Sequence, residues 1–146
     1  MYKVAILGYR RQASRHHAPS FHRLPDCEIV AVCDIVEERA KEGAELYGVP
    51  AYSDADEMLE REEIDIVNIP TGEKFRYDLV MKALRLGKHV FTEKPIASTP
   101  DDAAALVTAI EDAGVFGQVG HMSRHADAVR IAREIVDAEP FGSVTF

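Results

Sequence analysis

Residues Ile6 to His17 read ILGYRRQASRHH and directly continue a short apolar run, Lys3–Leu7 (KVAIL). A run of this kind that breaks on a glycine and then takes up helical spacing has the layout of a strand, a turn and a helix whose turn approaches a phosphate. Three small residues serve such a turn. The first makes the bend, the second lets backbone come close to the phosphate, and the third packs the helix on the strand. Here Gly8 takes the first place, Arg10 the second and Ala13 the third. Alanine suits the third place. Arginine at the second puts a long cation where backbone would otherwise lie. Its guanidinium either blocks the phosphate position or swings outward and replaces the lost backbone contact with a charge-assisted bond of about 1.5–3 kcal/mol. Arg11 adds a second cation beside it. Asp34, 26 residues beyond Gly8, falls where an acid reads the ribose of a dinucleotide. It would accept from a free 2′-hydroxyl and repel a 2′-phosphate, which favours NAD over NADP. The same aspartate can also serve as the amino-terminal cap of the next helix.

The remainder of the chain repeats this alternation, which points to βαβ units around a parallel sheet. Strands are predicted at Glu28–Asp34, briefly at Pro50–Ser53, at Ile64–Pro70, Lys88–Pro95 and Val115–Gly120, with a last one opening at Ser143–Phe146 (SVTF). Helices are predicted from about Gln12, over 36–48 and closed by Gly48, over 54–61 with Ser53 as cap, over 75–87, from Thr99 to about Ala113, and over 126–138. Thr99 and Pro100 form a helix start with a cap and a proline in the first helical position, and Asp101 and Asp102 suit the positive end of the helix dipole. The expected fold is therefore α/β, a doubly wound, mostly parallel sheet. Residues 1–120 form the dinucleotide-binding part, and residues 121–146 supply a helix and a strand that would lead onward. An apolar last segment leaves an edge that invites pairing with another chain, so a homo-oligomer or a further polypeptide is the expected partner.

The 146 residues carry 17 basic and 25 acidic side chains, a net charge of −8 that argues against nucleic acid as a partner. The distribution is uneven. Lys3, Arg10, Arg11, Arg15 and Arg23 face no acid within the first 25 residues, whereas the rest of the chain holds every acid. This amino-terminal cationic island suits an anionic ligand, although a solvated basic face is the plain alternative. No apolar run is long enough to span a bilayer or to act as a secretory leader, which gives a cytoplasmic location by default. Cys27 and Cys33 lack metal-ligand or redox spacing, so no metal site is expected.

The stretch Gly87–Thr99 (GKHVFTEKPIAST), with Glu93, Lys94 and Pro95 as its core, resembles the signature of the glucose-fructose oxidoreductase, inositol dehydrogenase and MocA (Gfo/Idh/MocA) family. His16 falls where that family has a histidine in its first helix. The segments around VCDIVEERA, VGHMSRH and FGSV also resemble the family, so the likeness covers essentially the whole chain. It implies a Rossmann domain that binds NAD or NADP for hydride transfer on a sugar, cyclitol or related hydroxy compound. It further implies that Lys94 lies near the nicotinamide and is the catalytic candidate; with Gly8, Arg10, Arg11, Ala13 and Asp34 from the first turn and second strand, Thr71, Glu93 and Pro95 complete the residues expected to line the cofactor. Arg124 matches an arginine after the sixth strand, with a structural or ligand-edge role.

The sequence departs from the family pattern after its fourth strand. Where the family reads Thr-Pro-Asn and then a histidine, this chain has Thr71, Gly72, Glu73 and, three residues on, Arg76. A carboxylate at Glu73 weakens pyrophosphate binding unless Arg76 or Arg10 neutralises it. The family's second α+β domain, which carries an acid/base histidine and covers the nicotinamide, would begin about where this sequence stops. This chain alone is thus expected to hold a dinucleotide without turning over substrate. The rival reading is a non-catalytic relative that binds a nucleotide or a partner protein as a scaffold.

Overall fold

The computed structural model describes residues 1–138 and 142–143. Six strands, β1 (Tyr2–Leu7), β2 (Cys27–Cys33), β3 (Ala51–Tyr52), β4 (Ile66–Ile69), β5 (His89–Glu93) and β6 (Gly117–Gly120), form one sheet. Their order is β3-β2-β1-β4-β5-β6, and every pairing is parallel. This is the doubly wound α/β fold expected from the sequence. The chain works outward from β1 to β3, then returns to lay β4 on the other side of β1. That reversal opens a crevice beyond the carboxyl ends of β1 and β4, where such folds bind ligands.

Parallel strands covered on both faces read as continuous apolar runs. In β1 the alternation of side chains sends Val4 and Ile6 to one layer and Ala5 and Leu7 to the other. The first layer joins them to Ala18 of α1 (Ala18–Arg23) and Ala44 of α2 (Glu37–Tyr47). The second joins them to Met58 of α3 (Ala55–Arg61), Val80 and Leu84 of α4 (Glu73–Arg85) and Leu106 of α5 (Pro100–Ala113). A sixth helix, α6 (Asp127–Asp137), follows a short 3-10 turn at Met122–His125 and leaves Val129, Ile131 and Ile135 exposed.

Helix ends mostly follow their sequence signals. Thr99 caps α5, its side chain accepting from the Asp102 amide at 3.1 Å with Pro100 in the first helical position. The cap of α3 is Asp54 rather than the expected Ser53, because the Asp54 carboxylate reaches the Glu57 amide at 2.9 Å. Helix α4 begins at Glu73, two residues before the expected start. Strand β1 begins one residue before the expected start and β2 is shifted one residue earlier, whereas β3 to β6 are shorter than predicted at their flanks, the fourth occupying only Ile66–Ile69. No helix among the described residues is long and apolar enough to cross a membrane. The expected strand at Ser143–Phe146 falls largely on residues 144–146, outside the described residues.

Candidate functional site

Gly8 ends β1 with φ at +101°, a backbone geometry that side chains disfavour. Its amide donates to the Cys33 carbonyl at 2.7 Å, tying the turn to the end of β2. A Cβ at this position would lie 2.6 Å from the Thr71 methyl group, so the turn and the loop after β4 approach as closely as glycine allows. Next in line, Tyr9 turns into the core and is 3% exposed. Its hydroxyl is pushed up to about 12, first by burial and then by Tyr47. Ala13 is buried against the same layer, which is the packing role of the third small residue.

Asp34 follows β2 and is 5% exposed. One carboxylate oxygen accepts from the Tyr9 amide at 2.8 Å and the other from the Val36 amide at 2.9 Å. The side chain therefore bridges the first turn and the start of α2. It does not cap the helix in the expected sense, since Val36 is the capping residue. Arg39 of α2 stands 3.7 Å from the same carboxylate.

These groups border a cleft of about 610 Å³. Leu7, Gly8, Asp34 and Thr71 line its end nearest the sheet, and Arg10, Arg39, Lys82 and Arg85 contribute cationic groups to its walls. Arg10 is exposed, with its side chain outside the core. Arg11 is also exposed and does not line this cleft. Sequence reasoning missed Arg39, Lys82 and Arg85. The last two are three residues apart on α4 and so share a face, a spacing legible in the sequence but without a sign of what that face borders. Lys82 is engaged with Asp56 at 2.6 Å.

On the other side of the switch point, β4 and β5 end side by side. Thr71 follows β4 and keeps a buried hydroxyl oxygen without a hydrogen-bond partner among the described residues. Lys94 follows β5 on the surface, joined to Pro95 by a cis peptide bond. Glu93, expected near the cofactor, sends its carboxylate inward instead: Oε1 meets Nε2 of His17 at 3.0 Å, and Oε2 accepts from the Lys94 amide at 3.3 Å. The other imidazole nitrogen of His17 meets Oδ1 of Asn68 at 2.9 Å. The ring rests 5.3 Å from that of Phe91, centroid to centroid.

The buried histidine is thus His17, while His16 is exposed. Ala13–His17 forms a turn of π-helix, which holds one more residue than an α-turn and moves the inward-facing position along by one. Arg76 is buried as well. Its guanidinium donates to the carbonyl oxygens of Thr71 and Pro95. Burial lowers its pKa, with the charges of Glu73 and Glu93 acting in the opposite direction. Glu73 is exposed at the start of α4. Arg124 lies in the 3-10 turn on the surface, away from the cleft. No cluster of three metal-ligating side chains forms among the described residues.

Two observations test whether this cleft fits a dinucleotide. Gly8, with no Cβ to collide with the Thr71 methyl, keeps the backbone of the first turn close to the loop after β4, and the buried Thr71 hydroxyl there has hydrogen-bonding capacity to spare. Both features suit a phosphate-bearing ligand lying across the strand ends.

Comparison with known proteins agrees with this geometry. The profile of the Gfo/Idh/MocA family, an oxidoreductase family with an NAD-binding Rossmann fold, matches residues 2–121. The chain is 32% identical over 142 residues to a dTDP-3,4-didehydro-2,6-dideoxy-alpha-D-glucose 3-reductase of Streptomyces violaceoruber, covering 97% of this chain and 42% of that protein. It is 32% identical over 141 residues to the scyllo-inositol 2-dehydrogenase (NAD(+)) of Bacillus subtilis (strain 168), covering 96% and 41%. Among solved structures, scyllo-inositol dehydrogenase from Lactobacillus casei with bound NAD(H) and scyllo-inositol superposes with a TM-score of 0.91 at 27% identity, over 99% of this chain and 43% of that one. A 3-ketoreductase from Actinomadura kijaniata in complex with TDP-benzene and NADP gives 0.87 at 26% identity, over 93% and 43%. The chain therefore spans about two fifths of the length of these relatives.

Proposed function

Because this chain belongs to the Gfo/Idh/MocA oxidoreductase family, we propose that it is the dinucleotide-binding part of an enzyme acting on a sugar, a cyclitol or a related hydroxy compound. The observation that carries this reading is the Gly8 turn at the strand-order reversal, opening on a cleft with cationic walls. Bound there, the nicotinamide supplies a hydride donor or acceptor. Everything else falls to the chain's own residues.

Gly8 admits the pyrophosphate to the backbone, with Ala13 holding the helix close behind it. Arg10, in the cleft wall, supplies positive charge in place of the missing glycine contact, and Arg11 adds to the positive field from outside the cleft. Asp34 spends one hydrogen bond per oxygen on backbone amides and keeps further lone pairs for ribose hydroxyls. Its negative charge disfavours a 2′-phosphate, so NAD is preferred to NADP. Thr71 in the cleft wall and Pro95, in the neighbouring loop after β5, border the second nucleotide. Glu93 holds the backbone from which Lys94 projects. The Lys94 ammonium stabilises negative charge developing on a substrate hydroxyl oxygen and eases proton removal from it. Among the described residues Lys94 is exposed rather than enclosed, and we assign these residues binding without turnover on their own. The alternative of a non-catalytic scaffold draws on Arg10 in the cleft wall and Glu73 at the exposed start of α4, which replace small or neutral groups of the family pattern.

Calorimetric titration separates the readings. The wild-type chain should bind NADH at micromolar concentrations and NADPH at least tenfold more weakly, and Arg10→Gly should weaken NADH. Binding that appears only in Arg10→Gly makes the arginine a plug. Silence in both chains refutes a dinucleotide site.

A further inference from the structure

Arg76 stands in the first turn of α4 and is 2% exposed. A cation so placed on an amphipathic helix is ordinarily solvated, since burying it unpaired is costly. Here the two terminal nitrogens of the guanidinium donate to carbonyls of two separate loops, Thr71 after β4 and Pro95 after β5. The third nitrogen, Nε, has no partner among the described residues. The planar fork of an arginine fixes the spacing of two acceptors in a way that a single-point donor does not. Thr71 in turn places its methyl group against Gly8, and Pro95 follows Lys94 directly.

We propose that Arg76 is a positioning residue, a cationic brace that sets the separation of the β4 and β5 loops and so shapes the region beside the cleft that receives the nicotinamide nucleotide. This rests on the dinucleotide-binding reading above and extends it to a residue that touches no ligand. The family pattern has a histidine at this place. The guanidinium reaches two loops at once, carries a permanent charge and stands near the carboxylates of Glu73 and Glu93, both of which favour its charged form. In a doubly wound sheet the two nucleotides lie on opposite sides of the switch point. The brace belongs to the β4–β5 side, whereas Asp34 belongs to the β1–β2 side. Loss of the brace should therefore be felt by one half of the ligand.

The test compares NADH with AMP on the wild-type chain, Arg76→Met and Arg76→Lys, using calorimetry for NADH and chemical-shift titration for AMP. Lysine keeps the charge but not the fork, and it provides a folded variant should the methionine chain fail to fold. The expected result is a loss of NADH affinity of tenfold or more in each folded variant, with AMP affinity changed less than twofold. Equal losses for both ligands would show that Arg76 merely supports the fold. Unchanged NADH affinity would show that the loops hold their spacing without it. Either result overturns the proposal. A wild-type chain that binds neither ligand refutes the underlying reading instead.

Discussion

Replacing Asp34 with asparagine tests whether this carboxylate is part of the fold before any ligand arrives. The side chain is 5% exposed and accepts from two backbone amides, Tyr9 at 2.8 Å and Val36 at 2.9 Å, one on each oxygen. Asparagine has the same shape but one acceptor oxygen, so one amide must face an NH2 group. That change removes a charge-assisted hydrogen bond and strands a buried donor, a combined cost of about 2–4 kcal/mol. At roughly 3–4 °C per kcal/mol for a chain of this size, the melting temperature falls by about 6–16 °C. Circular dichroism melts of the ligand-free chain measure this, with Glu60→Gln, an exposed site on α3, as a control. An Asp34→Asn chain that melts together with the control would refute the argument, because surface substitutions typically stay within about 0.5 kcal/mol.

Two further outcomes follow from contacts elsewhere. Gly43 of α2 faces the ring of Tyr9, and a Cβ there would lie 2.8 Å from two ring carbons. Gly43→Ala should lower the melting temperature even though alanine is favoured within a helix by about 1 kcal/mol, since overpacking a core costs about 1–3 kcal/mol; a rise in melting temperature contradicts the close packing. The Cys33 thiol is pushed up to about 12, chiefly by burial and then by Asp34 and Asp54. It should resist alkylation at pH 8 until the chain is unfolded, and rapid labelling of the native chain would count against this. The unfolded chain releases this proton first as pH rises. The contribution to stability is thus whole below the ordinary thiol range and is lost on approach to about 12. A denaturant midpoint that declines as steeply above pH 9 in Cys33→Ala as in the wild type contradicts the assignment.

What could be read from the sequence was what depends on local chemistry or on runs long enough to show a period. The β1 run and its glycine announce a buried strand and a turn, and Thr99–Pro100 announces a helix start, because each signal acts within a few residues. Where two candidates are adjacent, local chemistry does not choose between them. Ser53 and Asp54 can both cap a helix, although the Asp54–Glu57 spacing was the signal that would have separated them. The early start of α4 has no side-chain cap to reveal it. Arg76 entered only as one of two cations, with Arg10, able to neutralise Glu73, and its engagement with two loops depends on distant carbonyls converging, which no spacing in the chain encodes. Glu93 was placed at the cofactor through its likeness to the family signature, which names the residue but not the direction its side chain takes. The inward direction holds His17 and Asn68.

The π-turn at Ala13–His17 also bears on how residues are matched among relatives. Two neighbouring imidazoles let a gap-free alignment pair the wrong one without any penalty in its score. In this chain the first of the two, His16, faces solvent and the second, His17, faces the core. A substitution at His16 therefore leaves the core untouched, whereas one at the adjacent His17 strands the Glu93 and Asn68 side chains that meet its two ring nitrogens.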